Sequence, residues 1–197
     1  MTLLMKLKMY ANRSSSPPLD QIKFMAYELG LIVNRHWWRW LTCWFGGCAG
    51  VIVSYRLDRF GFLLLGNLWP ALRLFLFPVF LVLRILSYNH EIHYAAKIGK
   101  GLKILHPSLG IVISSYLTAG EHLTLVGGNC IGGRKKLTDG EFILGNNVLL
   151  GANAVVLGPL RLGNGVQVAP ASLVVDSFDD NAVVAGVPAK IIRILSS

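Results

Sequence analysis

Imidazole side chains are the groups of this sequence best suited to accept a proton near neutral pH, because their unperturbed pKa lies close to that range. Among the five histidines, His106 directly precedes a proline and lies fifteen residues after Glu91. A carboxylate beside a histidine fixes the imidazole tautomer and stabilises the imidazolium that forms when the ring takes a proton. Activation of a hydroxyl nucleophile is chemistry that such a histidine could do, because it can take the hydroxyl proton as the oxygen attacks.

Metal binding finds no support in the sequence. The three cysteines, Cys43, Cys48 and Cys130, form no C-x-x-C pair, which excludes a zinc ribbon as well as a disulfide framework. His106 and His122 are sixteen residues apart, and no third histidine is in step with them to complete a metal site. We therefore expect no metal cofactor.

A period of six organises the second half of the chain, from about residue 92 onward. Neither a helix, with period 3.6, nor an ordinary strand, with period 2, produces this pattern, whereas a parallel β-helix does. Each turn of such a solenoid takes three hexapeptides, one on each flat face, and each face points one aliphatic side chain inward. The predicted inward positions are Ile92, Ile98, Ile104, Ile113, Ala119, Leu125, Ile131, Leu144, Leu150, Val156, Leu162, Val168 and Val174.

Two segments interrupt the period, and functional sites are where local rules tend to fail. The first is 106–110, where one extra residue shifts the register; the second is 133–140, which carries three cations and no inward aliphatic in register, so we expect an outward loop. Because one turn takes about eighteen residues, adjacent turns can bring Glu91 and His106 together. Two structural alternatives stay open: His106 could bond a backbone carbonyl at a corner, and Glu91 could cap the first turn.

The first half of the chain is basic and apolar rather than repetitive. Residues 1–90 carry +7 of the chain's net charge of +9, which suggests an anionic partner surface. Apolar and aromatic residues lie between the cations, so the pattern favours helices on an anionic membrane surface over nucleic-acid binding. The longest charge-free stretch, Trp40–Tyr55, has sixteen residues and falls short of the roughly 20 that a spanning helix needs.

Arginines and tryptophans are the residues expected to face that membrane. They are Arg35, Arg39, Arg56, Arg59, Arg73 and Arg84, with Trp37, Trp38, Trp40, Trp44 and Trp69. A helical cap buried in an oligomer and a membrane-spanning hairpin are the two alternatives for this half of the chain.

Several stretches of the sequence resemble the hexapeptide acyltransferases, and among them the branch that includes the serine acetyltransferases. In the repeat these stretches are Glu91–Gly101, Leu105–His106, Gly110–Ile113, Cys130–Gly133 and Ala185–Lys190. In the first half, Val53–Leu57 and Asn67–Ala71 are similar to the colanic acid acetyltransferases of exopolysaccharide gene clusters. The resemblance implies a mainly β protein, in which a basic, aromatic helical region over 1–88 precedes a left-handed parallel β-helix over 89–197.

Acetyl transfer from acetyl-CoA to a hydroxyl is the activity that this resemblance implies. The family pattern places its general base at His106 and its carboxylate at Glu91, where the family more often has aspartate. His93 and Lys135 are the residues that it implies for substrate binding. It also implies a homotrimer in which acetyl-CoA lies in the groove between neighbouring subunits.

Acetyl-CoA needs small side chains beside its pantetheine arm and cations beside its phosphates. The small residues could equally be solenoid corners, and the cations could form a solvated basic loop. With those alternatives open, the resemblance implies contacts to acetyl-CoA from Gly132, Gly133, Arg134, Gly151, Ala152, Ala169 and Lys190.

The acceptor hydroxyl is expected to belong to a sugar. The serine enzymes of the family carry Arg-His-Pro in the central loop, and that histidine helps to hold the amino acid, whereas residues 133–140 contain no histidine. The resulting hypothesis is an O-acetyltransferase of exopolysaccharide or polysaccharide biosynthesis that acts on a sugar or a lipid-linked oligosaccharide. We expect it in the cytoplasm, peripheral on the inner face of the cytoplasmic membrane. A serine O-acetyltransferase and a non-catalytic β-helix that scaffolds a membrane polysaccharide synthase are the alternatives.

Overall fold

Helices precede the repeat in the computed structural model, which describes residues 16–33, 38, 47–86 and 90–195. The described helices are α1 (Pro18–Val33), α2 (Cys48–Leu65), α3 (Trp69–Phe75) and α4 (Phe77–Leu86), with a 3₁₀ turn, Gly66–Leu68, between α2 and α3. Pro70 and Pro78 stand in the first turns of α3 and α4, where a missing N–H group costs no helical hydrogen bond. The apolar stretch is therefore divided into short helices.

Short strands follow, two to six residues long. They are β1 (His90–Ile92), β2 (Lys97–Ile98), β3 (Lys103–Ile104), β4 (Ile111–Ile113), β5 (Thr118–Ala119), β6 (Thr124–Leu125), β7 (Asn129–Gly133), β8 (Phe142–Leu144), β9 (Leu149–Leu150), β10 (Val155–Gly158), β11 (Leu160–Leu162), β12 (Gln167–Val168), β13 (Leu173–Val174), β14 (Ala182–Gly186) and β15 (Ala189–Ile194).

Three sheets form the faces of a parallel β-solenoid of about four turns, which confirms the fold predicted from the period of six. The first face has the order β1-β4-β7-β10-β13, the second β11-β8-β5-β2, and the third β15-β14-β12-β9-β6-β3. Every pair is parallel except β14 and β15, which form an antiparallel end to the solenoid. Inward aliphatics stack in register from turn to turn, as Ile98, Ala119, Leu144 and Leu162 do on the second face.

Both predicted interruptions are excursions of the chain from this pattern. Pro107–Leu109 form a 3₁₀ turn at a corner, and the chain leaves the solenoid between β7 and β8. Within the second excursion Leu137 is only 3% exposed and belongs to the core, so the prediction that no aliphatic returns from this segment is wrong in that detail. Leu137 therefore anchors the basic loop to the core of the solenoid, and the ion pair between Lys97 and Asp139 ties the same loop to β2.

A buried ion pair joins the helices to the first turn of the solenoid. The Arg56 Nε lies 3.0 Å from Oε2 of Glu28, and neither side chain has any exposed surface. Arg56 also donates to the side-chain oxygen of Gln21 and to the backbone carbonyls of Ile98 and Gly99. All five N–H donors of the guanidinium are thereby used.

The first turn has no preceding turn to bond with, so its backbone groups need other partners. Glu28 accepts hydrogen bonds from the backbone N–H groups of Gly101, at 3.0 Å, and Leu102, at 2.9 Å. The Tyr55 hydroxyl donates to the carbonyl of Ala96 at 2.8 Å. Side chains from α1 and α2 therefore take the place of the missing turn.

These contacts correct the prediction that six arginines face a membrane. Arg56 and Arg59 are 0% and 3% exposed, and Arg73 is ion-paired with Asp58. Trp69 is also buried. The buried cations Arg56 and Arg59 therefore do not face a membrane, whereas Arg73 is paired with Asp58 but keeps 44% of its side chain exposed. Of the other residues in that prediction, Trp38 is exposed, while Arg35, Arg39, Trp37, Trp40, Trp44 and the side chain of Arg84 lie outside the described part of the structure.

Glu28→Ala should lower the free energy of unfolding by about 3–5 kcal/mol, because it leaves a buried guanidinium without its counter-charge. Lys23→Ala is the matched control, since it breaks the exposed pair between Lys23 and Asp20 and should cost at most about 1 kcal/mol. Urea unfolding followed by circular dichroism measures both. Equal losses in the two variants would show that the buried pair does not hold the helices on the solenoid.

Candidate active site

One edge of the solenoid, where the third face of a turn passes into the first face of the next, carries the predicted base. The N–H group of His106 donates to the carbonyl of Val126 in the following turn at 2.9 Å. Backbone bonds of the same kind align the corners of the later turns. Residues of successive turns follow one another along this edge. The order is His106, then Gly127, then Gly151 and Ala152, then Ala169, and finally Lys190, which pairs with Ala185. The structure therefore brings the predicted base and four of the predicted acetyl-CoA residues to one edge.

The imidazole of His106 is exposed at this edge. Its main chain is fixed, because its carbonyl accepts a hydrogen bond from the N–H group of Leu109 at 3.2 Å. The ring itself makes no hydrogen bond to the described residues, so the alternative of a corner histidine bonded to a carbonyl receives no support. The ring is free to meet a ligand.

Glu91 lies on β1, at the first face of the first turn, with its side chain exposed. Its partner in the next turn is Val112. Within the described residues no hydrogen bond links Glu91 to His106, so direct pairing of the two stays a prediction.

The remaining predicted acetyl-CoA residues lie at the other end of the first face, where β7 ends. Gly132 and Gly133 pair with residues 157 and 158 of β10. Arg134, which follows them, donates from Nη2 to the carbonyl of Val175 at 2.8 Å, and Lys135 is exposed in the loop. These three residues, together with the predicted substrate-binding residue Lys135, therefore do not join the edge that carries His106.

Steric surroundings separate the glycines into two kinds. A Cβ at Gly151 would lie 2.5 Å from the backbone nitrogen of Pro170, and one at Gly133 would lie 2.9 Å from Cδ1 of Leu137. Close packing of the solenoid therefore explains why Gly151 and Gly133 have no side chain. At Gly132 a Cβ would meet no atom within 4 Å, so packing does not explain why that side chain is absent. Gly132 is the glycine among these three that best fits a ligand contact.

A cleft of about 700 Å³ lies between α2–α4 and β1. It contains two predicted site residues, Glu91 and His93, and is walled by helix residues that include Asp58, Arg73 and Phe77. The helices thus form a second part of the candidate site, next to the first turn of the solenoid.

Asp58 is the buried charge of this cleft. Its carboxylate accepts a hydrogen bond from Nε1 of Trp69 at 2.7 Å and pairs with Arg73 at 3.0 Å. Burial raises the pKa of Asp58 above its ordinary value, although the Trp69 hydrogen bond and the Arg73 charge oppose the rise. The Arg73 guanidinium lies 5.3 Å from the ring centre of Phe80 and 5.7 Å from that of Tyr94.

His93 is held in one orientation at the end of β1. The N–H group of Ala95 donates to its Nδ1 at 3.1 Å, which leaves Nε2 to carry the proton of the neutral ring. Partial burial lowers the pKa of His93 and the positive charge of Arg73 lowers it further, while Asp58 and Glu91 act in the opposite direction. The net effect favours the neutral imidazole over the imidazolium.

Asp58, Arg73 and Tyr94 are site residues that the sequence-based reasoning did not find. The sequence does contain one signal for these residues. Asp58 is an isolated acid in an apolar segment, and residues 1–90 contain few other acids. Its position there indicates a specific cationic partner, but the sequence does not say which one.

Two relatives connect this arrangement to known proteins. WcaB of Escherichia coli strain K12, an acetyltransferase named for colanic acid biosynthesis, is 35% identical over 149 residues, 72% of this chain and 88% of the relative. Serine acetyltransferase 2 of Arabidopsis thaliana is 39% identical over 109 residues, and the match spans 55% of this chain but only 33% of that protein. No family model matches the sequence. The chain belongs to the hexapeptide-repeat acetyltransferase family, as the sequence motifs predicted.

Solved structures share the fold. Serine acetyltransferase of Neisseria gonorrhoeae superposes with a TM-score of 0.70 at 22% identity, over 98% of this chain and 72% of that one. Serine acetyltransferase of Brucella abortus in complex with coenzyme A gives 0.67 at 23% identity, over 88% and 68%. The structural similarity covers the helices as well as the solenoid.

Arg73→Gln should raise the pKa of His93, because it removes a nearby positive charge, and Asp58→Asn should lower it. Titration of the His93 ring signals by NMR measures both shifts. Lys23→Gln, which neutralises an exposed cation of α1 outside the cleft, should leave the titration unchanged. Identical titration curves in all variants would contradict the electrostatic coupling across the cleft.

Proposed function

We propose that the protein is an acetyl-CoA-dependent O-acetyltransferase of a sugar hydroxyl in exopolysaccharide or polysaccharide biosynthesis. The match to WcaB is the observation that carries this proposal. Its 149 aligned residues exceed the length of the solenoid, which begins at β1, so the likeness reaches into the helices that wall the cleft. The match to the Arabidopsis serine acetyltransferase is shorter, at 109 residues.

His106 acts as general base in the proposed mechanism. Its exposed ring takes the proton of the acceptor hydroxyl as the oxygen attacks, and it returns that proton to the departing thiolate. Acetyl-CoA supplies the thioester whose acetyl group is transferred. Glu91 contributes negative charge near the same end of the solenoid, where it stabilises the imidazolium.

Several residues of the chain fit acetyl-CoA. Ala152 and Ala169 continue from His106 along one edge as small side chains, and Lys190 supplies a cation at its end. Gly132 leaves open space on the first face. Complex formation of the Brucella abortus relative with coenzyme A supports the same donor here.

Serine O-acetylation is the second candidate function, because relatives and structural neighbours carry that name. Against it stands the loop 133–140, which offers no histidine to an amino-acid substrate. A non-catalytic scaffold is less well supported, since the relatives compared above are named acetyltransferases.

A homotrimer is part of the proposal. Apolar side chains that a single chain leaves exposed surround the His106 edge and suit a subunit contact there. They are Leu105 and Leu109 beside His106, with Val112 on the adjoining first face.

Peripheral attachment to the inner face of the cytoplasmic membrane is also proposed. The outward sides of α3 and α4 are strongly apolar, with Phe75 81% and Ile85 72% exposed. Within the described residues no single helix is long and apolar enough to cross a bilayer, whereas the bent pair Cys48–Phe75 and Phe77–Leu83 meets that test together. Helices lying in the interface suit these observations.

His106→Ala should lower kcat by about 10²–10⁴, the range expected when a general base is lost, with acetyl-CoA binding unchanged. Glu91→Gln should cost less, because that residue balances charge and transfers no proton. His122→Ala, at another corner of the solenoid, is the control and should retain activity. Full turnover by His106→Ala would remove this histidine from the mechanism.

Saccharide acceptors should be acetylated with a kcat/KM at least about 10²-fold above that of free serine, because the chain lacks a serine-holding histidine in its loop. Transfer of radiolabelled acetyl groups to serine, nucleotide sugars and lipid-linked oligosaccharide measures the difference. Preferred acetylation of serine would replace the sugar proposal by the serine alternative.

Phe75→Glu combined with Ile85→Glu should abolish flotation with anionic vesicles, because it places charges on the apolar side of α3 and α4. Ile192→Glu is the control, an exposed isoleucine on β15 that should not affect flotation. Binding of the unmodified chain should persist at high salt, since the apolar contact is not screened. Failure of the full-length chain to float would refute membrane attachment but not the enzymatic proposal.

A further inference from the structure

The cleft between α2–α4 and β1 has two chemically different ends. Glu91 and His93 lie at the polar end, together with the Asp58–Arg73 pair. The apolar end consists of Leu74, Phe77 and Leu81, whereas the ring of Phe80 lies against Arg73. Leu74 and Phe77 are exposed, so the apolar end opens onto the apolar surface of α3 and α4 rather than into the protein.

Arg73 presents free donors to the polar end. It reaches Asp58 through Nη2, and no other hydrogen bond of its guanidinium is formed with the described residues. With 44% of its side chain exposed, it keeps N–H groups for a ligand's oxygen atoms. The rings of Phe80 and Tyr94 lie beneath its guanidinium and fix its plane.

We propose that this cleft binds an amphipathic glycolipid acceptor, with the sugar at Arg73, Asp58 and Glu91 and the lipid chain along Leu74 and Phe77. The proposal rests on the function proposed above, and it specifies which form of saccharide is the substrate. Sugar hydroxyls accept hydrogen bonds from guanidinium groups and donate to carboxylates, which the polar end supplies. A hydrocarbon chain gains by leaving water for the apolar end.

The size and polarity of the cleft favour this acceptor over smaller ones. Its volume of about 700 Å³ lies within the range of sites for ligands much larger than an amino acid. Free serine and a nucleotide sugar have no group that would fill the apolar end. A lipid-linked saccharide fills both ends and leaves its chain directed toward the apolar surface of α3 and α4.

Binding of octyl β-glucoside below its micelle concentration tests the cleft without any turnover. The indole N–H of Trp69, which donates to Asp58, is the NMR reporter at the polar end. We expect octyl glucoside to shift this signal with an affinity at least about tenfold above that of glucose, because only the alkyl compound reaches the apolar end. Equal affinities would overturn the proposal.

Two matched variants locate the binding. Leu74→Glu, at the apolar end, should weaken octyl glucoside binding at least about tenfold, because it puts a charge beside the alkyl chain. Leu64→Glu makes the same change at an exposed leucine of α2 that does not line the cleft, and it should bind as the unmodified chain does. Equal weakening in both variants would place binding elsewhere and overturn the proposal.

Turnover separates failure of the cleft from failure of the proposed function. The KM for a lipid-linked saccharide should be lower than that for the same saccharide released from its lipid, and Leu74→Glu should remove the difference. Saccharide acetylation without this preference would refute the glycolipid site and leave the proposed function standing. Leu74-dependent octyl glucoside binding without transfer to any saccharide would support the cleft and contradict the proposed function.

Discussion

The buried ion pair between Arg56 and Glu28 joins α1 and α2 to each other and to the first turn of the solenoid. Removing two charges from water is costly, and an ion pair in the interior is tolerated only when further hydrogen bonds satisfy both partners. Here the first turn supplies them, through the carbonyls of Ile98 and Gly99 and two backbone N–H groups. The pair exists because the first turn has unsatisfied polar groups that an apolar cap would leave unpaired.

The helix that caps the solenoid, α2, therefore also forms part of the wall of the cleft. Tyr55 and Arg56 of α2 bind the first turn, and Asp58, two residues later, turns its carboxylate to the cleft. Because a helix fixes the directions of neighbouring residues, the contacts that seal the solenoid also set the distance between Asp58 and β1. In the proposed function, the solenoid edge carries the general base, and the helices supply the groups that select the acceptor.

The parts of the structure that could be predicted from sequence are those that repeat. Stacked aliphatic side chains such as Ile98 and Leu144 recur at a fixed period in the sequence, because each turn has the same packing requirement. The Arg56–Glu28 contact has no period, because it joins helices whose approach is decided by tertiary packing. Composition alone does not distinguish a buried arginine from a surface one, which is why Arg56 and Arg59 were expected at a membrane. The cleft could not be predicted from the sequence either, because it is also formed by tertiary packing of the helices. Two of its lining residues, Glu91 and His93, were nevertheless predicted as site residues from the family motifs.

Ion pairs within the first half of the chain also reduce the positive charge that it can offer to an anionic membrane. All three acids of residues 1–90 are engaged by cations of that half, in the pairs Lys23–Asp20, Arg56–Glu28 and Arg73–Asp58. Arg56 and Arg59 are buried, so these two cations add no positive charge to the surface. The exposed side chains Leu74, Phe75, Phe77 and Ile85 of α3 and α4 are apolar, and their affinity for a bilayer would come from buried hydrocarbon area rather than from counter-ion attraction. Lipid composition should therefore matter less for these two helices than the net charge of +9 suggests.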